Sequence, residues 1–306
     1  MTANAGKPPR FKRRKPDGPM SITGRDLNIV EAVWRYRCID SVDIAALVGG
    51  SAEVVRRRLR LLFDNGYIDR PLVQVQWQVQ KNNPPLVYLL GRSGARLLED
   101  YGRAAGLPAD WTARNHKLKP GSILHMNAIA GVMATFERLG KDRFIREETL
   151  LDHDGKRKAL SWAVEYTHER ERVETRLSPD HAFGVRHEGR VAYFFLEADR
   201  ESMPLTRTSE KQSSILEKLE GYVATIEAGI HKRDFNMHAF RVLFAVEKST
   251  TRVQNMIAVV QERIPAKYYR NFLFAVIPEL RQEGVEAYPF WNGKGERGSL
   301  FGASGS

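Results

Sequence analysis

From Ser21 onward the chain carries short helical patterns followed by a β pattern. In "SITGRDLNIVEAVWRYRCID" the apolar residues Leu27, Val30 and Trp34 recur at helical spacing, behind Thr23, which can cap the first turn. Ser41 is placed to cap a short second helix, "VDIAALVG", which Gly49 and Gly50 end. Ser51 caps a third, "AEVVRRRLRLLFDNG", stopped at Gly66. Val55, Leu59 and Leu62 form the buried stripe of that helix, while Arg56, Arg57 and Arg60 project from the opposite side. The period then changes to two. In "PLVQVQWQVQ", Val73, Val75, Trp77 and Val79 alternate with Gln74, Gln76, Gln78 and Gln80, which predicts a strand with one buried face. "KNNPP" is its turn and "LVYLLG" the return strand, after which "RSGARLLEDYGRAAG" is helical again.

Three short helices and a hairpin compose a winged helix-turn-helix over residues 21–106. Residues 107–121 read as a linker, and residues 122–280 as a second domain. There "SILHMNAIAGVMATFERLG" is an amphipathic helix and "FIREETL" a strand, with residues 161–178 ambiguous but compatible with strand. A two-stranded ribbon follows in "PDHAFGVRHEGRVAYFFLEADR", then a long helix, "SEKQSSILEKLEGYVATIEAG". Two apolar runs, "FRVLFAV" and "NFLFAVI", are buried strands separated by the helix "TTRVQNMIAVVQERI". The fold class is α+β, with one mixed sheet flanked by helices in the second domain and a polar C-terminal tail over 281–306.

Charge sharpens this division. The 306 residues carry a net +11, but residues 1–120 hold 21 Lys and Arg against 11 Asp and Glu, a net of +10. A front half that binds a polyanion and a neutral back half follow, and double-stranded DNA is the expected partner. Arg56, Arg57 and Arg60 suit the major groove, and Lys81 and Asn82 stand at the tip of the wing. Residues 1–20, with Arg13 and Arg14 among their basic residues, are expected to be disordered, either as a solvated tail or as a DNA-contacting arm. The N-terminus lacks the apolar core of a secretory signal, no apolar run reaches the roughly 20 residues of a membrane span, and Cys38 is the single cysteine. A cytoplasmic protein without a membrane partner is expected. "GKGERG" at 293–298 has the spacing of a dinucleotide fingerprint but lacks the strand and helix that would make it one.

The ribbon carries the candidate chemistry. A two-residue turn at Glu188–Gly189 places His187 opposite Arg190 and therefore Asp180 opposite Glu197, with Asp199 on the same face as Glu197. Three carboxylates converging at a sheet end repel one another without a cation, and oxygen ligands of this kind suit Mg²⁺ or Mn²⁺. The arrangement resembles the PD-(D/E)xK nuclease fold, with Asp180 and Glu197 at the two acid positions and Asp199 where that motif has its lysine. Lys211 or Lys218, on the following helix, would then be the displaced lysine. Taken whole, residues 22–280 resemble the replication-relaxation proteins of bacterial plasmids and conjugative elements, through "TGRDLNIVEAVWRYR", "VVRRRLRLLFDNGYIDRP", "GRSGARLL", "LSPDHAF", "FFLEADRES" and "LEKLEGY". The resemblance implies an N-terminal winged helix joined to a nuclease-like domain and a role in replication or transfer of a mobile element. The expectation is a DNA-binding accessory or regulatory protein whose nuclease-like domain does not cut, because Asp199 stands where the lysine would be, and which requires no cofactor. Two alternatives stand beside it. One is a Mg²⁺-dependent nuclease or nickase using Asp180, Glu197, Asp199 and Lys218. The other is a scaffold for replication or conjugative-transfer proteins. The sequence leaves the oligomeric state open.

Overall fold

A threonine and a buried aspartate organise the first helix. Thr23 and Asp26 form a capping box: the Asp26 amide donates to Thr23 Oγ1 at 3.3 Å and the Thr23 amide donates to Asp26 Oδ2 at 2.8 Å. Two orphan amides of the first turn are thereby satisfied, and α1 runs Gly24–Tyr36. In the computed structural model the described residues are 10–15, 18, 20–76, 84–107, 111–153, 156–157, 159–168, 171–201, 203–206 and 214–301. They belong to two units, residues 1–134 and 135–306, and the division falls inside a helix. No helix among the described residues is long and apolar enough to cross a membrane.

In the N-terminal unit α1 is followed by β1 (Ile39–Asp40), α2 (Ser41–Val48), α3 (Ala52–Asp64), β2 (Ile68–Asp69), β3 (Val87–Leu90), α4 (Arg92–Asp100) and α5 (Trp111–His116). α6 (Pro120–Glu137) carries the chain into the second unit. The three strands form an antiparallel sheet in the order β1-β3-β2. Ser51 caps α3 as expected, its hydroxyl accepting from the Val54 amide at 3.3 Å. The cap of α2 is Asp40 rather than Ser41. Its carboxylate accepts from the Val42 and Asp43 amides at 2.8 and 3.1 Å, and Ser41 is already helical. Cys38, Val87, Leu89 and Ile123 share one core cluster, where burial pushes the Cys38 thiol pKa up.

The expected alternating strand over 71–80 is not found in its described part. Residues 74–76 are helical, Gln74 is buried and Val75 exposed, the reverse of the predicted faces. The Gln74 amide explains the inversion: its Nε2 donates to the Val87 carbonyl and its Oε1 accepts from the Val87 amide, both at 2.9 Å. One side chain thus occupies the place of a neighbouring strand. Lys81 and Asn82, the expected wing tip, lie outside the described residues. The linker is also more structured than expected, since Asn115 on α5 donates to the Leu90 carbonyl at 2.7 Å and to Asp69 at 3.0 Å.

In the C-terminal unit, β4 (Phe144–Ile145) leads into α7 (Glu147–Leu151), so "FIREETL" is only briefly a strand. A short ribbon, β5 (Asp152–His153) with β6 (Lys156–Arg157), precedes a separate hairpin of β7 (Trp162–His168) and β8 (Glu171–Leu177). Then come β9 (His181–His187), β10 (Arg190–Asp199), α8 (Ile215–Glu227), α9 (Ile230–Phe235), β11 (Phe240–Val246), α10 (Thr250–Arg263), β12 (Phe272–Val276), α11 (Ile277–Glu283), β13 (Phe290–Asn292) and β14 (Arg297–Gly298). Seven of these strands form one mixed sheet in the order β14-β13-β12-β11-β10-β9-β4. β10, β11 and β12 are parallel neighbours, joined by helical crossovers, and the outer pairs are antiparallel. Phe136, Phe183 and Phe194 cluster on the sheet, with Phe183 and Phe194 stacked at 5.0 Å. Residues 281–301 are not a tail: they finish α11 and add β13 and β14 to the sheet edge, so "GKGERG" spans the turn of that hairpin and β14.

Asp26 is wholly buried, and Arg58 from α3 meets it with Nε at 2.8 Å from Oδ1. Burial pushes the Asp26 pKa up, but Arg58 and Thr23 outweigh it, so the carboxyl titrates below its ordinary range. Arg58→Ala leaves that carboxylate buried without its counter-charge and should cost about 3 kcal/mol in urea unfolding, whereas Arg57→Ala should stay within about 0.5 kcal/mol. Because the folded pKa is depressed, the contribution of Asp26 is complete above its unfolded value near ~3.9 and is lost as pH falls through the lower folded value. Equal unfolding midpoints for the two variants at neutral pH would contradict this account.

Candidate functional site

The turn between β9 and β10 sets the geometry of the site. Glu188 and Gly189 both have positive φ, 48° and 74°, the combination of a tight two-residue hairpin turn. It pairs His187 with Arg190 and, six steps along, His181 with Leu196. Continuing that register brings Asp180 opposite Glu197, and the Asp180 amide donates to the Leu196 carbonyl at 3.0 Å. β10 is held between β9 and parallel β11, so its apolar run is buried and the acids come at its end.

Each acid then finds its own partner. Glu197 is only 3% exposed. Its Oε1 accepts from the Tyr222 hydroxyl at 2.6 Å, and its Oε2 pairs with Lys218 Nζ. Lys218 and Tyr222 are four residues apart on α8 and face the sheet together. Asp199 Oδ2 accepts from Arg252 Nε at 2.7 Å, and Arg252, in the first turn of α10, also donates to the Met203 carbonyl. Asp180 Oδ2 accepts from the Ala198 amide at 2.8 Å. Glu147 on α7 accepts from the Ala182 amide at 3.0 Å and stands 2.8 Å from His181 Nδ1. Among the described residues no three His, Cys, Asp or Glu side chains are grouped to hold a metal ion.

The local field holds protons. Burial pushes Glu197 up, and Asp180 adds to the shift against the opposing pull of Lys218. Burial alone would lower Lys218, but Glu197, Asp180 and Asp199 outweigh it and the ammonium titrates above its ordinary range. Tyr222 rises well above its usual value through burial and the charge of Glu197. Burial is the first cause for Glu197 and Tyr222, and the charge of Asp180 raises all three groups.

The structure thus brings Glu197, Asp180 and Lys218 together and gives Asp199 to a separate cation. Lys211 lies outside the described residues. Tyr222 and Arg252 escaped the sequence reading. The i, i+4 spacing of Lys218 and Tyr222 was a usable signal for the first, whereas nothing local marks Arg252. Of the expected DNA-contacting residues, Arg56 and Arg57 on α3 are exposed. Arg60 is engaged: it bonds Asp64 at 2.8 Å, donates to the Lys12 carbonyl at 3.1 Å and lies over the Phe63 ring. Arg13 and the backbone of Arg14 are held in place. Arg13 pairs with Asp69, and the Arg14 amide donates to Asp64 Oδ1 at 3.0 Å. The expectation of disorder across residues 1–20 fails for 10–14, which are held against α3 and β2.

The sequence of residues 32–238 matches the replication-relaxation family model, and the chain belongs to that family. The family places it among proteins of plasmid and mobile-element replication or relaxation. No curated protein and no solved structure matches it.

Lys218→Met should cost about 3 kcal/mol at neutral pH, because Glu197 stays buried without its cation. The Glu197→Gln, Lys218→Met double variant should recover much of that loss, giving a coupling energy above roughly 1 kcal/mol in a double-mutant cycle. The sign with pH follows from the raised Lys218 pKa: its contribution is complete below the unfolded value near ~10.4 and is lost as pH rises through the folded one. Additive single and double variants would show that the pair carries no stability.

Proposed function

We propose that this protein is a DNA-binding accessory or regulatory component of a mobile genetic element, in which the N-terminal unit grips duplex DNA as a winged helix and the nuclease-like C-terminal unit does not cut. The observation that carries the DNA reading is the pair Arg56 and Arg57. They are exposed on α3, in a unit whose net charge is +10, since residues 121–134 hold no charged residue. The order α1-β1-α2-α3-β2-β3, with β1 beside β3, supports a winged-helix plan in which α3 enters the major groove. Arg58 and Arg60 on the same helix are committed to Asp26 and Asp64 and support the scaffold instead.

The non-catalytic reading rests on occupied carboxylates. Both Glu197 oxygens, one Asp199 oxygen and one Asp180 oxygen already accept hydrogen bonds from protein donors. A Mg²⁺ or Mn²⁺ ion needs several free oxygen ligands around one point, and here it would have to expel Lys218 and Arg252 first. The residues present do not fit the ion. The alternative, a nickase with a displaced lysine, is favoured by one observation: Lys218, on the helix after the ribbon, reaches Glu197. Supercoiled plasmid incubated with the pure protein and Mg²⁺ or Mn²⁺ separates the two. We expect no nicking, and nicking abolished by both Glu197→Ala and Lys218→Ala would establish the enzyme reading.

For DNA, Arg56→Ala with Arg57→Ala should weaken duplex binding by about 1–3 kcal/mol for each arginine that reads a base, or flatten the salt slope by roughly one unit for each that neutralises a phosphate. Arg60→Ala should act mainly on stability. Fluorescence anisotropy on a labelled duplex across a salt series reads both effects. Unchanged affinity and slope in the folded double variant would remove α3 from the interface.

A further inference from the structure

The same sheet has a second feature at its other end. A cavity of about 680 Å³ opens where β9 ends and β10, β11 and β12 begin. Arg190 is the first residue of β10. The parallel register sets Arg241 beside Phe194, and Val242 beside Phe272, so Arg270 and Asn271, just before β12, arrive at the same end. Three guanidinium groups therefore line one cavity. At ~3.3 Å per residue, the seven residues from Arg190 to Glu197 set those two side chains roughly 23 Å apart along the strand.

These arginines differ from those that brace the fold. Arg58, Arg60 and Arg252 each hold an aspartate. Among the described residues nothing comparable engages Arg190, Arg241 or Arg270. The one acid in the lining, Glu188, faces His187 at 3.6 Å. Arg241 keeps open surface, yet the protein around it lowers its pKa, as expected for a cation in a concavity. Three like charges without counter-ions favour an anion, and the planar guanidinium fork matches phosphate oxygens.

The remaining wall is aromatic. Phe301 stands 4.8 Å from the ring of His187, which is paired with Arg190 and so shares its face of the sheet, and Arg143 lies over Phe301 at 4.7 Å. Bases stack on such rings whatever their sequence. The volume falls within the ~300–1,000 Å³ of small-molecule sites, room enough for one nucleotide.

We propose that this cavity binds a nucleotide, its phosphate on Arg190, Arg241 and Arg270 and its base against Phe301. The nucleotide is either free or part of a single strand. The site shares no residue with α3 or with the acidic cluster, so it gives the C-terminal unit a nucleic-acid chemistry of its own despite its near-neutral total charge.

The test uses the full chain. Binding is measured by calorimetry with thymidine monophosphate, and by anisotropy with a labelled oligothymidylate of about twelve nucleotides, within the ~4–16 that single-strand sites cover. Arg241→Ala with Arg270→Ala should weaken the bound probe by at least roughly tenfold. The corresponding double Lys variant should retain more affinity than the Ala variant, and Arg56→Ala with Arg57→Ala should leave that probe unaffected. Comparable binding of the mononucleotide assigns the site to free nucleotides, whereas binding of the oligomer alone assigns it to a strand. Should the Ala variant fail to fold, photocrosslinking of an iododeoxyuridine oligomer to the wild-type protein should label Phe301. Absence of binding by both probes, wild-type affinity in the folded Ala variant, or crosslinks confined to residues 1–134 would overturn the proposal.

Discussion

The turn at Glu188–Gly189 is the constraint on which the C-terminal unit depends. Side chains along a strand repeat every second residue, so sliding β10 by one position would send every inward group outward. Positive φ at both turn residues matches the twist of the flanking strands and fixes the pairing of His187 with Arg190. From that pairing follow the stack of Phe183 on Phe194, the approach of Asp180 to Glu197 and the placement of Arg190 at the mouth of the arginine-lined cavity. A glutamate at positive φ is strained relative to glycine, and the long ladder it initiates offsets that strain.

Buried charge is handled alike in both units. Four inward acids are each matched to one basic side chain from elsewhere in the same unit: Asp26 to Arg58, Asp69 to Arg13, Glu197 to Lys218 and Asp199 to Arg252. Such pairs add little net stability over apolar packing, but removing one partner is costly, so each favours one pairing of segments over others. The cations left over lie at surfaces and in the cavity, where an external polyanion can reach them. Both proposed binding surfaces accordingly rest on arginines without a carboxylate partner.

Much of this was readable from the sequence. Helical spacing located α1, α3 and α10, and alternation with a two-residue turn gave the β9–β10 register, because these patterns depend on neighbours within a few positions. The failures share a different cause. Gln74 was misplaced because its side-chain amide, not its backbone, pairs with Val87. Arg60 looked outward on a helical wheel, which cannot foresee residues 10–14 lying beside it. Asp199 looked like part of an acidic cluster because Arg252, 53 positions away, leaves no local trace. The lysine at 218 was anticipated as one of two candidates, and the tyrosine four residues later was not.

The pairing of Asp199 with Arg252 also bears on how this chain can change over evolutionary time. A lysine at position 199, the residue the nuclease motif would place there, would set two cations against each other in a nearly buried site. The substitution becomes tolerable only after Arg252 is lost, and losing Arg252 first strands Asp199. Neither single step would be neutral, so a change at one of these positions requires a matching change at the other.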